Sequence, residues 1–196
     1  MKKISDKHLL LLLLYCPGIK GYINEELIGR TRVVKSVFLF FKEIIKNFTK
    51  DKNIDFIDIP EFYAWNYGPF SRDIYTDLEF LINNGLVNTT NTDDEISEAE
   101  QDEIENWVDD YKVDLLEEDQ EYSMDVKYVE ELNLTDKGLT FVKDKIWPSL
   151  TENQKTILTK FKESITKGSI AALMNYVYLK YPEYTGKSLI KKQVLG

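Results

Sequence analysis

The sequence is poor in the side chains on which most enzyme chemistry depends. Its 196 residues include one histidine, His8, and one cysteine, Cys16. One cysteine cannot form an internal disulfide, which fits a reducing compartment, and a zinc site needs more ligands than these two residues offer. A Ser-His-Asp or Cys-His arrangement would have to use His8, which lies within an apolar segment. We therefore expect no enzymatic activity, no cofactor and no metal site.

Long hydrophobic runs are also lacking. The apolar run at residues 9–14 follows Met1, Lys2 and Lys3. It is much shorter than the roughly 20 residues that a membrane helix needs, and no small-residue cleavage site follows it. We expect no membrane span and no signal peptide, and hence a soluble, cytoplasmic protein.

Acidic residues outnumber basic ones overall, but they are unevenly distributed. The formal net charge is −9, yet residues 93–121 alone carry 15 Asp or Glu and a single basic residue, Lys112. The remaining residues carry 19 acids and 24 bases, a net charge of +5. Because phosphate contacts need Lys and Arg, the overall charge disfavours nucleic acid, whereas the charge of the body does not. The sequence therefore predicts a mildly basic body and one acidic segment.

Helical periodicity, capping residues and helix breakers predict an order of elements along the chain. The order is a buried helix at 7–15, a long helix from 31 to about 50, an extended run at 62–65 with a turn at 66–69, a third helix from Ser71 to Gly85, strands at 86–89 and 128–134, a fourth helix at 135–147, and two further helices ending at Pro182. Three helices followed by two strands with a variable connection is the order of a winged helix.

We therefore predict a mainly α (α+β) fold with a winged-helix-type domain at 1–147. Its small β-wing carries an acidic insertion at about 91–127, and residues 148–196 form a C-terminal helical hairpin packed on the domain. We expect Tyr67, Gly68 and Pro69 to set the turn into the third helix, with Trp65 packed in the core.

Four runs of residues resemble a known protein group. They are IGRTRVVK at 28–35, WNYGPFS at 65–71 leading to LEFL at 78–81 and GLV at 85–87, LTDKG at 134–138, and YVYLKYPEYT at 176–185. In this order they resemble the YwgA-like group of bacterial and archaeal proteins, a distant neighbour of the Panacea or SocA-like antitoxin domains. The resemblance covers most of the chain except the acidic segment. It implies a winged-helix-like fold, no known enzymatic activity, and a role in regulation or in binding a partner protein such as a toxin.

Candidate binding residues on the body are basic. Arg30, Arg32 and Lys35 cluster at the start of the second helix, and Arg72 opens the third. Cations at a helix N-terminus oppose the helix dipole. The cluster is therefore either ordinary surface charge or an anion-facing patch.

The third helix itself disfavours DNA. Base edges beside phosphates repel carboxylates, and a helix in the major groove needs Arg, Lys, Asn or Gln. Only Arg72 and Asn83 qualify among its polar positions, which are Arg72, Asp73, Thr76, Asp77, Glu79 and Asn83.

The acidic segment contains a second set of candidate contacts. Ile104, Trp107, Val108, Tyr111 and Leu115 recur at helical spacing. An acidic amphipathic helix with that spacing would present Trp107 and Tyr111 to a partner. We expect residues 93–121 to cover the patch of Arg30, Arg32 and Lys35 or to mimic DNA towards a partner protein; the alternative is a solvated extension of the wing.

The leading hypothesis is a non-enzymatic regulatory, adaptor or antitoxin-like protein that binds a partner protein. The second is a DNA-binding transcription regulator. A remote third is a metal-dependent nuclease that would use Asp125 and Lys127. The sequence is also compatible with a homo-oligomer.

Overall fold

A central buried helix organises the fold. The computed structural model describes residues 2–95, 128–188 and 191–195. Strand β1 (Lys2–Ile4) leads into α1 (Asp6–Tyr15), whose residues 9–14 are each at most 2% exposed. The backbone N–H of Ser5 donates to His8 Nδ1 (3.1 Å), so His8 caps this helix. Within the described residues, no helix is both long and apolar enough to cross a membrane.

The predicted long second helix is confirmed, with an irregularity that its periodicity does not reveal. Strand β2 (Leu27–Ile28) precedes α2 (Arg30–Leu39), which continues through a π-helical turn (Phe40–Ile44) into α3 (Ile45–Phe48). Phe40 is fully buried and packs edge to face on Phe48, with ring centroids 5.3 Å apart. Strand β3 (Ile54–Phe56) then pairs in parallel with β1.

A short hairpin connects these helices to the third predicted helix. Strands β4 (Tyr63–Trp65) and β5 (Gly68–Phe70) pair antiparallel, and α4 (Arg72–Asn83) follows, ending before Gly85 with φ of +65°. The expectation that Trp65 lies in the core is wrong. Side chains two apart in a strand share a face, so Trp65 is half-buried beside Tyr63, and Tyr67 in the turn enters the core at 5% exposure.

The two predicted strands after α4 are confirmed and belong to a three-stranded sheet. Strands β6 (Val87–Glu95) and β7 (Tyr128–Leu134) pair antiparallel with Val87 opposite Leu134. β2 pairs with the other side of β7, which gives the order β2-β7-β6. The predicted insertion therefore begins within β6, and its residues 96–127 lie outside the described residues.

The C-terminal helices share one core with the preceding elements. They are α5 (Asp136–Phe141), a π-helical turn (Val142–Ile146), a 3-10 turn (Trp147–Ser149), α6 (Glu152–Lys167), α7 (Ile170–Lys180), a second 3-10 turn (Pro182–Tyr184) and α8 (Lys191–Leu195). Thr151 and Gln154 form a capping box at the start of α6. Leu158 of α6 and Val177 of α7 are fully buried in the same cluster as α1. The α+β class predicted from the sequence is confirmed by these helices and small sheets.

Candidate partner-binding site

Arg30, the first of the predicted binding residues, is engaged within the fold. Its Nε donates to Glu130 Oε2 (2.5 Å) and its Nη2 to Glu130 Oε1 (3.2 Å), while Nη1 pairs with Glu79 of α4. Burial opposes the charged form, but the two carboxylates outweigh it and raise the pKa of Arg30 above its ordinary value. The guanidinium thus ties α2 to α4 and β7, and its charge is already compensated.

Arg32 and Lys35 are buried, so the prediction of an exposed anion-facing patch with Arg30 is wrong. Arg32 is 8% exposed and donates from Nη1 to the carbonyls of Ile165 and Gly168 (3.1 Å to Gly168) at the C-terminal end of α6. Lys35 is 3% exposed and donates from Nζ to the Pro69 carbonyl (3.0 Å). Both side chains donate hydrogen bonds to carbonyl groups of residues that are distant from α2 in sequence. Among the described residues, Arg30, Arg32 and Lys35 therefore do not form an exposed cluster that the acidic segment could cover.

Of the other predicted residues, Arg72 alone lies in the described part of the chain. It is exposed at the first position of α4. Trp107 and Tyr111 lie outside the described residues, so their role stays a prediction. The hypothesis that residues 93–121 mimic DNA stays a prediction for the same reason.

The hairpin β4–β5 presents a row of aromatic rings. Tyr63 lies opposite Phe70 across the hairpin, with ring centroids 5.5 Å apart, and Tyr63 packs edge to face on Trp65 (5.8 Å). Phe70 stacks on Tyr75 of α4 at 5.1 Å. Tyr63 is 38% exposed, and Trp65 and Phe70 are half-buried. We call Tyr63, Trp65 and Phe70 the aromatic row.

The hairpin is held firmly on the body of the protein. Lys35 binds it through the carbonyl of Pro69, and Gly68 rests on the ring of Tyr178, where an added Cβ would lie 2.8 Å from Tyr178 Cε1. Gly68 has φ of +85°, a conformation that side chains with a Cβ rarely adopt. The aromatic row is therefore presented by a backbone with little freedom to collapse onto the core.

The outward face of α4 continues this surface. Its exposed residues are Arg72, Asp73, Thr76, Phe80 and Asn83. Phe80 is 49% exposed, and the Lys7 ammonium lies 5.7 Å from its ring centroid. Glu79 is paired with Arg30 and Asp77 with Lys7. The face combines polar groups with one aromatic ring and carries a single exposed cation, Arg72.

The surroundings of the aromatic row do not form a small-molecule pocket. The recess between the hairpin, α2 and α4 has a volume of about 10 Å³, enough for about one water molecule. A larger groove of about 420 Å³ is open and lies on the outer side of α6, beside Trp147. The aromatic row is therefore suited to a macromolecular surface and not to an enclosed ligand.

His8 and Cys16 have structural roles within the described fold. His8 Nδ1 accepts a hydrogen bond from the Ser5 backbone. Cys16 is fully buried, and burial raises the pKa of its thiol to about 12, which suppresses the reactive thiolate. Across the described part of the chain, no group of three or more His, Cys, Asp or Glu side chains could hold a metal ion. Asp125 and Lys127, the nuclease candidates, lie outside it.

No family model, curated protein or solved structure matches this chain. The resemblance to the YwgA-like group stays a prediction. The candidate site therefore rests on its geometry alone.

The aromatic row is a site that the sequence-based prediction missed. Tyr63 and Trp65 alternate with Ala64 next to turn residues, which is the period-2 pattern of a strand with one outward face. The run was predicted to be extended, but Trp65 was assigned to the core. The alternation could have revealed the outward row, whereas the support by Tyr178, more than 100 positions away, could not have been foreseen.

Proposed function

We propose that this protein is a non-enzymatic adaptor or antitoxin-like protein that binds a partner protein through the aromatic row and the outward face of α4. The observation that carries the proposal is the partly exposed row of Tyr63, Trp65 and Phe70 on a braced hairpin, two residues before exposed Arg72. Trp, Tyr and Arg are enriched among the residues that dominate protein–protein binding energy. A rigid presentation lowers the entropy lost on binding.

The scaffold that we propose is of the winged-helix type. Support comes from the order α1, β2, α2, α4, β6, β7 and from the sheet order β2-β7-β6. In DNA-binding members of this architecture the third helix lies in the major groove with the wing beside it. In this chain, α4 corresponds in sequence order to that third helix. The proposed docking surface, formed by α4 and the hairpin before it, therefore corresponds to the surface with which such proteins bind DNA.

The charges near α4 favour a protein over DNA as the partner. Of the four basic candidates on the body, Arg32 and Lys35 are buried and Arg30 is held by two carboxylates. Duplex binding needs several cations that can reach phosphates at once. Arg72 beside Asp73 does not supply such a set.

The test compares partner capture by matched variants in extracts of the native host. Tyr63→Ala and Arg72→Ala each remove one large exposed side chain of the docking surface. Tyr22→Ala is the matched control, because Tyr22 is 46% exposed in the loop between α1 and β2. We expect one partner to be captured by the wild type and by Tyr22→Ala, and recovery to fall at least tenfold with the other two variants, in line with the loss of a binding hot spot.

Two results would contradict the proposal. One is equal recovery of the partner by all variants whose melting temperatures match the wild type, because the docking surface would then lie elsewhere. The other is tight, sequence-dependent binding of the wild type to duplex DNA at physiological salt, which would favour the transcription-regulator hypothesis.

A further inference from the structure

Two buried carboxyl groups meet where α1 packs on α4. Asp6 is the first residue of α1 and is 4% exposed, and Asp77 lies in the middle of α4 and is 6% exposed. Asp6 Oδ1 accepts the backbone N–H of Lys7 (2.8 Å), and Asp77 Oδ1 pairs with the Lys7 ammonium. Among the described residues, Asp77 Oδ2 is buried without a hydrogen-bond partner.

A single proton shared by Asp6 and Asp77 would give the buried Asp77 Oδ2 a hydrogen-bond donor. The Asp6 and Asp77 side chains are within hydrogen-bonding reach of each other. If both were ionised, no proton would lie between them and the buried Asp77 Oδ2 would remain without a donor, which is unfavourable for a charged group. A protonated carboxyl of Asp6 can donate to that oxygen, as in other pairs of adjoining carboxyl groups.

Of the surrounding groups, Asp77 favours retention of the proton by Asp6, whereas the ammonium and the backbone N–H of Lys7 oppose it. From α1 itself, the Lys7 side chain is 40% exposed and is the cation paired with Asp77, while His8 is occupied by Ser5. From the loop after β3, Asp58 acts on Lys7 and adds negative charge. Burial, with the hydrogen bond and the repulsion from Asp77, raises the pKa of Asp6 from 3.8 to about 7.

We propose that Asp6 and Asp77 hold one proton between them and form a clamp that joins α1 to α4 at and below neutral pH and loosens as the pH rises. The clamp does not depend on the proposed function. Because α4 carries the outward face described above, the clamp would make the mobility of that face sensitive to pH.

The direction of the pH dependence follows from the two states of Asp6. In the unfolded chain its carboxyl loses the proton near its ordinary pKa of 3.8, whereas in the folded chain it keeps the proton up to about 7. The stabilising effect of the clamp is therefore complete below the lower value, decreases as the pH rises, and is lost above the higher one.

The first test measures denaturant unfolding from about pH 5 to about pH 8.5 for the wild type and for Asp6→Asn. The amide of Asn can donate to Asp77 without titrating. We expect the unfolding equilibrium constant of the wild type, divided by that of Asp6→Asn, to increase at least about tenfold over this range. Asp136→Asn is the matched control, because Asp136 is exposed at the first position of α5. The unfolding equilibrium constant of the wild type, divided by that of Asp136→Asn, should stay constant over the same pH range. A ratio for Asp6→Asn that does not change with pH would overturn the proposal.

The second test remains informative if Asp6→Asn does not fold. The ¹³C chemical shift of the side-chain carboxyl carbon of Asp6 is followed against pH in the folded wild type. We expect a titration step near neutral pH at this carbon. If the Asp6 carboxyl completes its titration below about pH 5, where an ordinary Asp does so, no shared proton exists and the clamp is ruled out.

Discussion

Arg30 at the start of α2 holds Glu130 of β7 with two guanidinium nitrogens, Nε at 2.5 Å from Oε2 and Nη2 at 3.2 Å from Oε1. A second carboxylate, Glu79 of α4, pairs with the remaining nitrogen. Arg30, a candidate binding residue in the sequence, therefore joins three elements of the fold through its ion pairs. Planar, two-pronged pairing of this kind is specific to arginine among the cations.

Arg30→Ala should lower the free energy of unfolding by about 2 kcal/mol, because it removes hydrogen bonds between charged groups and leaves two carboxylates facing each other. Arg30→Lys should recover less than half of the loss, since an ammonium cannot reproduce the fork. Denaturant titration of the three proteins measures both effects. A lysine variant as stable as the wild type would show that only the charge at position 30 matters.

Gly68 should tolerate alanine much less well than Gly85. Both have positive φ, +85° and +65°, but an added Cβ at Gly68 would meet Tyr178 at 2.8 Å, whereas nothing lies within 4 Å at Gly85. Gly85→Ala should cost about 1 kcal/mol for its backbone conformation alone. Gly68→Ala should cost about 1–3 kcal/mol more because of the overpacking. Equal melting temperatures of the two variants would show that the hairpin does not rest on Tyr178 as described.

Much of the fold could be predicted because its signals are local. Thr151 and Gln154 cap α6 from positions three apart, and residues 128–134 form the strand expected there. Strand β2 has two residues and no pattern of its own, and β1 pairs with β3 some 50 positions away. Neither leaves a periodic signal in the sequence.

The candidate site was less predictable, because burial of a cation depends on its distant partners. Arg32 and Lys35 are held by carbonyl groups of residues distant in sequence, among them Gly168 and Pro69. Nothing in the run at 28–35 identifies those partners. Similarly, the outward position of Trp65 depends on the pairing of β4 with β5 and on the entry of Tyr67 into the core.

Lys162 should make stability rise with pH in the alkaline range. Its ammonium is fully buried and donates to the carbonyls of Leu14 (2.9 Å) and Glu25 (2.5 Å). Burial lowers its pKa from 10.5 to about 8, so between these values the unfolded chain binds more protons than the folded one. The free energy of unfolding should therefore increase as the pH rises through this window.

Lys162→Met tests this expectation, because it retains the long stem without a titrating group. Its stability should lack the increase between about pH 8 and about pH 10 that the wild type shows. Lys160→Met, at an exposed position of the same helix, is the control. If the wild type and Lys162→Met changed in parallel over this range, the buried amine would not be the titrating group.

Removal of the acidic segment should not create DNA binding. In a variant with residues 96–127 replaced by a short Gly-Ser bridge, the net charge becomes positive, but Arg32 and Lys35 stay buried and Arg30 stays paired. Fluorescence anisotropy with a duplex of about 25 bp at physiological salt measures the effect. Strong, salt-sensitive binding by the folded variant would mean that basic groups outside this cluster form an unrecognised DNA surface.

The most direct measurement of the central proposal is site-specific photo-crosslinking in the native host. A photoreactive phenylalanine analogue replaces Tyr63 in one variant and Tyr22 in another, since both side chains are exposed aromatics on different parts of the surface. We expect a discrete protein adduct from position 63, its loss when Arg72→Ala is added, and no such adduct from position 22. A nucleic-acid adduct at position 63, or the same protein adduct from both positions, would contradict a partner-protein site on the aromatic row.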